Sequence, residues 1–243
     1  MTWVTPARAQ APYPVEMGDG ADGGRGYLGK QRLLDAAERL IALHGLEGAS
    51  LREIVIAAGH RNNSAVAYHF GDRRRLLDAV WVRRTQVINA RRVEMLAELD
   101  AAGRGEDPRG LVEAYVRPLV DEMTRLQPSY WARFNESWFV TVPLDFLDFL
   151  RGDLHQRDPQ APRSTLDELF HRAVGCVPMP ADEGGTLRVS LIARAVIGAL
   201  AGWEREMEEG RAQAEDLEAY ADQVVELAVA MLTAPAPERA ARR

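Results

Sequence analysis

The chain has 243 residues, of which 47% are hydrophobic and 27% are charged, a composition typical of a soluble globular protein with a sizeable core. Cys176 is the only cysteine, which excludes an intrachain disulfide and a cysteine metal cluster and favours a cytoplasmic location. Beyond the N-terminal stretch no run of about 18 uncharged apolar residues occurs, so the sequence predicts no membrane-spanning segment.

The charge is unevenly distributed along the chain. The formal net charge of the whole chain is −6. Residues 25–75 nevertheless contain nine basic and five acidic side chains, which leaves +4 in this segment and −10 in the rest. A basic N-terminal region on an acidic body can bind phosphate at one end of the molecule while the other end repels it.

Both ends of the chain lack a periodic apolar pattern. Residues 1–26 are rich in proline, glycine, alanine and aspartate, and we predict a disordered leader, because this composition buries too little apolar surface to offset the entropy of ordering. Residues 235–243 are short and charged, and we predict a loose tail.

The segment that follows the leader begins with two predicted helices. The first spans about residues 30–44 and ends at Gly45, where a left-handed residue costs little. Ser50 and Glu53 have the spacing of a capping box, in which the Ser50 hydroxyl accepts from the Glu53 amide and the Glu53 side chain reaches back. This box predicts a short helix over residues 51–58, ended by Gly59.

A second short helix is predicted almost at once, over about residues 63–70, and Asp72 is predicted to cap a long helix over residues 73–99. Two short helices joined by a tight turn and preceded by a packing helix are the parts of a helix-turn-helix, which we assign to residues 27–80. In this arrangement the second short helix enters the major groove of DNA.

The remaining sequence, residues 81–234, predicts a larger helical domain. Nearly every periodic segment has the 3.6-residue spacing of a helix and no alternating strand pattern occurs, so the fold class is all-α. Pro118 is expected to kink its helix. The helices are predicted at about residues 108–126, 128–140, 144–154, 165–174, 186–209 and 215–233.

The second short helix has an unusual concentration of polar side chains. The small side chains of Ala65 and Ala67 let the backbone of this helix approach DNA, whereas Val66 and Phe70 are predicted to point to the core. The polar members, all able to donate hydrogen bonds, are Arg61, Asn62, Asn63, Ser64, Tyr68 and His69.

Several spaced segments between residues 31 and 81 resemble the TetR family of one-component regulators. They are His44-Gly45-Leu46, Ser50-Leu51-Arg52-Glu53-Ile54, Ala57-Ala58-Gly59, Tyr68-His69-Phe70, and Arg73 through Leu76-Leu77. Two departures are Ala67, where the family usually has a further aromatic residue, and a turn after Gly59 that is one residue longer than usual.

The resemblance implies roles for individual residues of the helix-turn-helix. Tyr68, His69 and Arg73 match positions that contact the DNA backbone, and Arg52 is a further candidate for a phosphate contact. The expected contacts to base edges come from Asn62, Asn63 and Ser64, because an asparagine amide can pair with adenine through two hydrogen bonds. Arg61 is a further candidate, with a solvent-exposed position in the turn as the alternative.

The resemblance also implies that residues 81–234 bind a small-molecule effector and form a homodimer through the last two long helices. A homodimer matches a palindromic operator in double-stranded DNA, and an effector is expected to release it. Whether the aromatic cluster of the middle helices lines a pocket or is ordinary core stays open at this point. The candidate effector residues are Tyr115, Met123, Trp131, Phe134, Asn135, Trp138 and Phe139.

Two other classes of protein are alternatives to a regulator. An enzyme is disfavoured because the five histidines show no metal-ligand spacing and no catalytic motif or phosphate-binding loop occurs; no cofactor, metal ion or catalytic residue is expected. A helical adaptor that has lost DNA binding is favoured only by Ala67, and the presence of Tyr68, His69 and Arg73 argues against it.

Overall fold

The structure is a computed structural model and describes residues 21–60, 62, 64–147, 164–181 and 184–236. Within these residues every regular element is helical, as the sequence predicted. A short 3₁₀ turn, Ala214–Asp216, precedes the last helix. The α-helices are α1 (Ala21–Gly48), α2 (Leu51–Ala57), α3 (Ser64–Phe70), α4 (Arg73–Ala101), α5 (Pro108–Arg125), α6 (Trp131–Phe139), α7 (Thr165–Gly175), α8 (Gly185–Glu208) and α9 (Leu217–Thr233).

The N-terminal helices begin and end largely where their sequence signals lie. Gly45 has a φ of 75° and breaks the regular path of α1, which continues for one more turn to Gly48. The predicted capping box at the start of α2 is confirmed, because Ser50 accepts from the Glu53 amide and the Glu53 carboxylate accepts from the Ser50 amide. Asp72 caps α4 by accepting from the Arg75 amide at 2.8 Å.

Three predicted segments need correction or fall wholly or partly outside the described residues. Helix α1 begins at Ala21, so residues 21–26 are helical and not part of the leader predicted over 1–26. A helix propagates by one hydrogen bond per added residue, so its packed part extends it outward at little cost. The rest of the leader, most of the helix predicted over 144–154 and residues 237–243 of the tail lie outside the described residues.

The body packs around α5 and α8. Helix α5 lies between α4 and α9, and it continues through Pro118 to Arg125. Helix α6 lies between α1 and α8, and α7 packs on α4, α5 and α8. The apolar side chains of these faces form one core that is continuous with that of α1–α3.

One helix, α8, is long and apolar enough to cross a membrane by length and composition alone. More than half of its most apolar stretch is buried against other helices, as in the core helix of a globular protein. Its fully buried side chains include Ala193, Leu200 and Ala201. This packing accounts for the apolar character of α8 without a membrane.

Candidate functional site

Helix α3 has one buried and one exposed face. Val66 and Phe70, four residues apart, are buried in the core, as predicted. Ser64, Ala67 and Tyr68 point to solvent, and the Tyr68 side chain is 83% exposed. An aromatic residue this exposed on a helix with a polar outer face is available to a partner.

The turn before α3 is held by its own polar side chains. Asn62 is exposed, and its side-chain oxygen accepts from the Ser64 amide at 3.1 Å, which starts the helix. Arg52 is exposed at the beginning of α2. Arg61 and Asn63 lie outside the described residues. The exposed predicted DNA-contacting residues therefore lie on α2, on the turn and on α3.

His69 is half-buried beside the N-terminal half of α1. Its ring meets the Tyr68 ring edge-on, with centroids 4.8 Å apart. Burial lowers the pKa of His69, and electrostatic interaction with His60 and Lys30 lowers it further. The imidazole is therefore neutral at neutral pH and can donate one hydrogen bond to a phosphate oxygen.

Arg73 makes contacts inside the domain that sequence reasoning did not anticipate. Its guanidinium donates to the backbone carbonyls of Leu46 and Ala49, the latter at 3.2 Å. These carbonyls belong to the end of α1 and the loop before α2. The side chain thus fixes the entry to the helix-turn-helix, a positioning role in addition to the phosphate contact predicted for it.

The predicted effector residues are packed together as core. Met123, Trp131 and Phe134 are almost fully buried, and the Trp131 and Phe134 rings stack with centroids 5.5 Å apart. The Asn135 amide donates to the Trp131 carbonyl at 2.7 Å. Trp138 and Phe139 are half-buried, and the centroids of their rings are 5.4 Å apart.

Tyr115 is the one predicted effector residue that lines a described cavity. This cavity is about 20 Å³ in volume, enough for a single water molecule. Its walls are apolar and come from α5, α7, α8 and α9, with Leu111, Phe170, Val189 and Ile192 among them. In this conformation the cavity beside Tyr115 therefore has room for a water, not for a drug-sized ligand.

Two apolar rows lie exposed on the last two helices. Leu187, Leu191 and Ala195 of α8 are exposed at a spacing of four residues, and Leu227 and Met231 of α9 are exposed in the same way. We call these five residues the α8–α9 face. Arg188 donates to the Ala234 and Pro235 carbonyls, which places the start of α8 beside the end of α9.

Most of the other apolar residues of α8 and α9, the two helices expected to form the dimer, are buried inside the subunit. They pack against α5, α6 and α7, because both helices also cover the core of the body. These residues are Ile197, Leu200, Leu217, Val224, Val225, Ala228 and Leu232. The described residues contain no group of three His, Cys, Asp or Glu side chains arranged to hold a metal ion.

The fold and the exposed face of α3 define a helical protein with an N-terminal helix-turn-helix. Residues 33–80 match the sequence profile of the bacterial regulatory proteins of the tetR family. The match lies within the helix-turn-helix segment, so this part of the chain is similar to the DNA-binding segment of that family.

Two similar proteins are HTH-type transcriptional repressors named AcnR. The one from Corynebacterium efficiens is 30% identical over 120 residues, which cover 48% of this chain and 61% of that protein. The one from Corynebacterium glutamicum is 32% identical over 109 residues, which cover 43% of this chain and 55% of that protein. The chain thus spans less than two thirds of the length of either relative.

A solved structure assigned to the TetR family, from Mesorhizobium loti MAFF303099, aligns with 85% of this chain and 97% of its own. The sequence identity is 18% and the TM-score is 0.38.

Proposed function

We propose that the chain is a homodimeric, sequence-specific DNA-binding transcriptional regulator that acts as a repressor. The observation that carries the proposal is the exposed face of α3, where Ser64, Ala67 and Tyr68 point to solvent while Val66 and Phe70 anchor the helix. The surrounding segment, residues 25–75, has a charge of +4 from its nine basic and five acidic side chains, although the chain as a whole is acidic. Such a surface suits a phosphate backbone and a major groove.

The proposed roles of individual residues are those that the resemblance to the TetR family implies. Arg52, Tyr68 and His69 contact phosphates, and Asn62 and Ser64 reach base edges together with Arg61 and Asn63. One helix-turn-helix makes few contacts, so two copies on a palindromic operator, with half-sites about 34–36 Å apart, supply the affinity. The repressors named AcnR support repression as the outcome, and no catalytic role is proposed.

Release from the operator is proposed to follow binding of a small-molecule effector in the body. An effector can change the equilibrium between two conformations of the dimer only to the extent that its affinities for them differ. The cavity beside Tyr115 is too small for such a molecule in the conformation described. Binding there would require the helices that line this cavity to move apart.

The proposal is tested by selecting genomic DNA fragments with the purified chain and measuring mobility shifts on the selected fragment. Tyr68→Ala is expected to weaken binding about tenfold or more, since it removes a hydrogen bond to a charged partner. Val140→Ala is the matched control, because Val140 is equally exposed, at 84%, but lies in the body. Asn63→Ala is expected to relax the sequence preference.

The salt dependence separates the regulator from the adaptor. The binding constant of a protein that neutralises phosphates falls steeply as the salt concentration rises. If no fragment is selected at low salt while the chain remains folded and dimeric, DNA binding is refuted and the helical adaptor becomes the better hypothesis.

A further inference from the structure

Arg92 of α4 is a buried cation in the body. Its relative exposure is 3%. The guanidinium donates from Nη1 to the Asn89 side-chain oxygen at 3.0 Å and from Nη2 to the Tyr115 carbonyl at 3.3 Å. It also lies 5.3 Å from the centre of the Tyr115 ring.

The hydrogen bonds of Arg92 are incomplete. A guanidinium has five N–H groups, of which the two described bonds use two, and the buried Nε has no partner. No carboxylate lies within ion-pair distance of Arg92 among the described residues, whereas the buried Arg84 and Arg133 each have two. Burial lowers the pKa of Arg92 to about 10, so the group is still charged at neutral pH.

A buried charge of this kind is costly unless an opposite charge is supplied. The neighbouring side chain, Tyr115, also lines the small apolar cavity between α5, α7, α8 and α9. Tyr115 therefore contacts the positive guanidinium of Arg92 and also lines an apolar cavity. This pairing fits an amphipathic anion, whose charged end would lie at Arg92 and whose apolar end would lie in the cavity.

We propose that Arg92 binds the carboxylate of a small-molecule effector whose apolar body enters the cavity lined by Tyr115. This inference rests on the proposed function, in that it names the chemical class of the proposed effector. A carboxylate fits the edge formed by Nε and one terminal nitrogen, where it accepts two parallel hydrogen bonds. A single negative charge balances the guanidinium, whereas a phosphate dianion would leave a net charge buried among apolar walls.

The small cavity volume has a mechanistic consequence. A ligand with an apolar body must move apart the helices that line the cavity, among them α5, which packs on α4, because about 20 Å³ holds only one water. Helix α4 carries both Arg92 and Arg73, which fixes the entry to the helix-turn-helix. A displacement of α4 at Arg92 is thereby transmitted to the DNA-binding end along one continuous helix.

The test uses octanoate as the carboxylate probe, with octan-1-ol and octylamine as probes of the same chain length. Thermal unfolding and isothermal titration of the full chain give the affinity for each probe. Octanoate is expected to stabilise the chain, and the alcohol and the amine are expected to bind at least about tenfold more weakly. Equal stabilisation by octanoate and octanol would overturn the assignment, as would no binding of octanoate.

Two substitutions locate the carboxylate. Arg92→Met removes the charge with little loss of volume and is expected to weaken octanoate binding at least about tenfold, while Arg92→Lys keeps a charge without the planar fork and is expected to be intermediate. Arg91→Met is the matched control, because Arg91 is the exposed neighbour that pairs with Glu94. Unchanged octanoate binding by Arg92→Met and Arg92→Lys would refute the role of Arg92.

Failure of this inference can be told apart from failure of the proposed function. The mobility shift of the unsubstituted chain without any probe tests DNA binding alone. If DNA is bound and octanoate is not, only the carboxylate proposal fails. If octanoate is bound through Arg92 and no DNA is selected, the ligand site stands and the regulator proposal fails.

Discussion

Arg84 and Glu38 form a buried bidentate ion pair that joins α4 to α1. Nε and Nη2 of Arg84 each lie 2.8 Å from a different carboxylate oxygen of Glu38. Nη1 of the same guanidinium lies 3.1 Å from the Glu122 carboxylate on α5. One cation thus connects the first helix of the DNA-binding segment with two helices of the body.

Removing this cation is predicted to destabilise the fold. Arg84→Met leaves two buried carboxylates with fewer partners, and we expect the free energy of unfolding to fall by about 3 kcal/mol. Urea denaturation provides the measurement. Arg91→Met, which breaks exposed ion pairs on the same helix, should cost less than about 1 kcal/mol. Similar losses for the two variants would contradict a special role for the buried network.

Substitutions of Arg73 and Arg52 are predicted to differ in their effect on the stability of the fold. Arg73→Ala removes the donor to the Leu46 and Ala49 carbonyls, so the free energy of unfolding should fall by about 1–3 kcal/mol and DNA binding should weaken with it. Arg52 is exposed, and Arg52→Ala should reduce DNA affinity and its salt dependence while stability changes by less than about 0.5 kcal/mol. Unfolding and mobility-shift measurements on both variants give the comparison. A stable Arg73→Ala variant would refute the positioning role.

The local signals of the helix-turn-helix could be predicted from the sequence because they act between near neighbours. Ser50 and Glu53 are three residues apart, and Asp72 caps the helix that begins at the next residue. The inward positions of Val66 and Phe70 follow from helical spacing. Each of these signals is complete within one or two turns of helix.

The buried charges could not be predicted, since their partners are distant in the chain. Glu38 and Arg84 are 46 residues apart, and their pairing depends on how α1 packs on α4. From sequence periodicity alone, Arg92 cannot be distinguished from the other arginines of a long helix. The same limit explains why apolar residues of α8 and α9 could be placed on these helices but not divided between the core and the exposed face.

Glu204 provides a prediction of pH dependence. Its buried carboxylate accepts from the Ser129 hydroxyl and from the Ala132 and Arg133 amides at the start of α6. Burial raises the pKa of Glu204 above its ordinary value of 4.5, even though these bonds and the nearby Arg133 oppose the shift. The folded state therefore binds this proton more tightly than the unfolded state, and the contribution to stability is lost as the pH rises through the folded pKa.

The neutral variant Glu204→Gln lacks this titration. The free energy of unfolding of the variant minus that of the unsubstituted chain should therefore increase as the pH rises above about 4.5, by at most about 1.4 kcal/mol per pH unit. Denaturation curves at a series of pH values provide the measurement. Glu206→Gln is the contrast, because its hydrogen bond to Arg211 lowers the pKa of Glu206 and the difference should change in the opposite direction at acidic pH. A difference that stays constant for Glu204→Gln would contradict the prediction.

The α8–α9 face is predicted to hold the two copies of the chain together. Leu191 and Leu227 are 42% and 67% exposed, and apolar residues grouped on one surface mark an interaction site. Replacing both by glutamate, Leu191→Glu with Leu227→Glu, would bury four like charges in the dimer, so sedimentation should show a folded monomer. Val93→Glu is the matched control, since Val93 is 53% exposed on α4, away from this face.

DNA binding gives a second measurement of the same interface. A monomer retains the exposed face of α3 but contacts only one half-site, so the double variant should lose most of its affinity for a palindromic fragment and keep its affinity for a single half-site. This pattern separates loss of dimerisation from loss of the reading surface, because Tyr68→Ala should weaken both fragments. A double variant that remains dimeric and binds the palindrome normally would place the interface on another surface of the molecule.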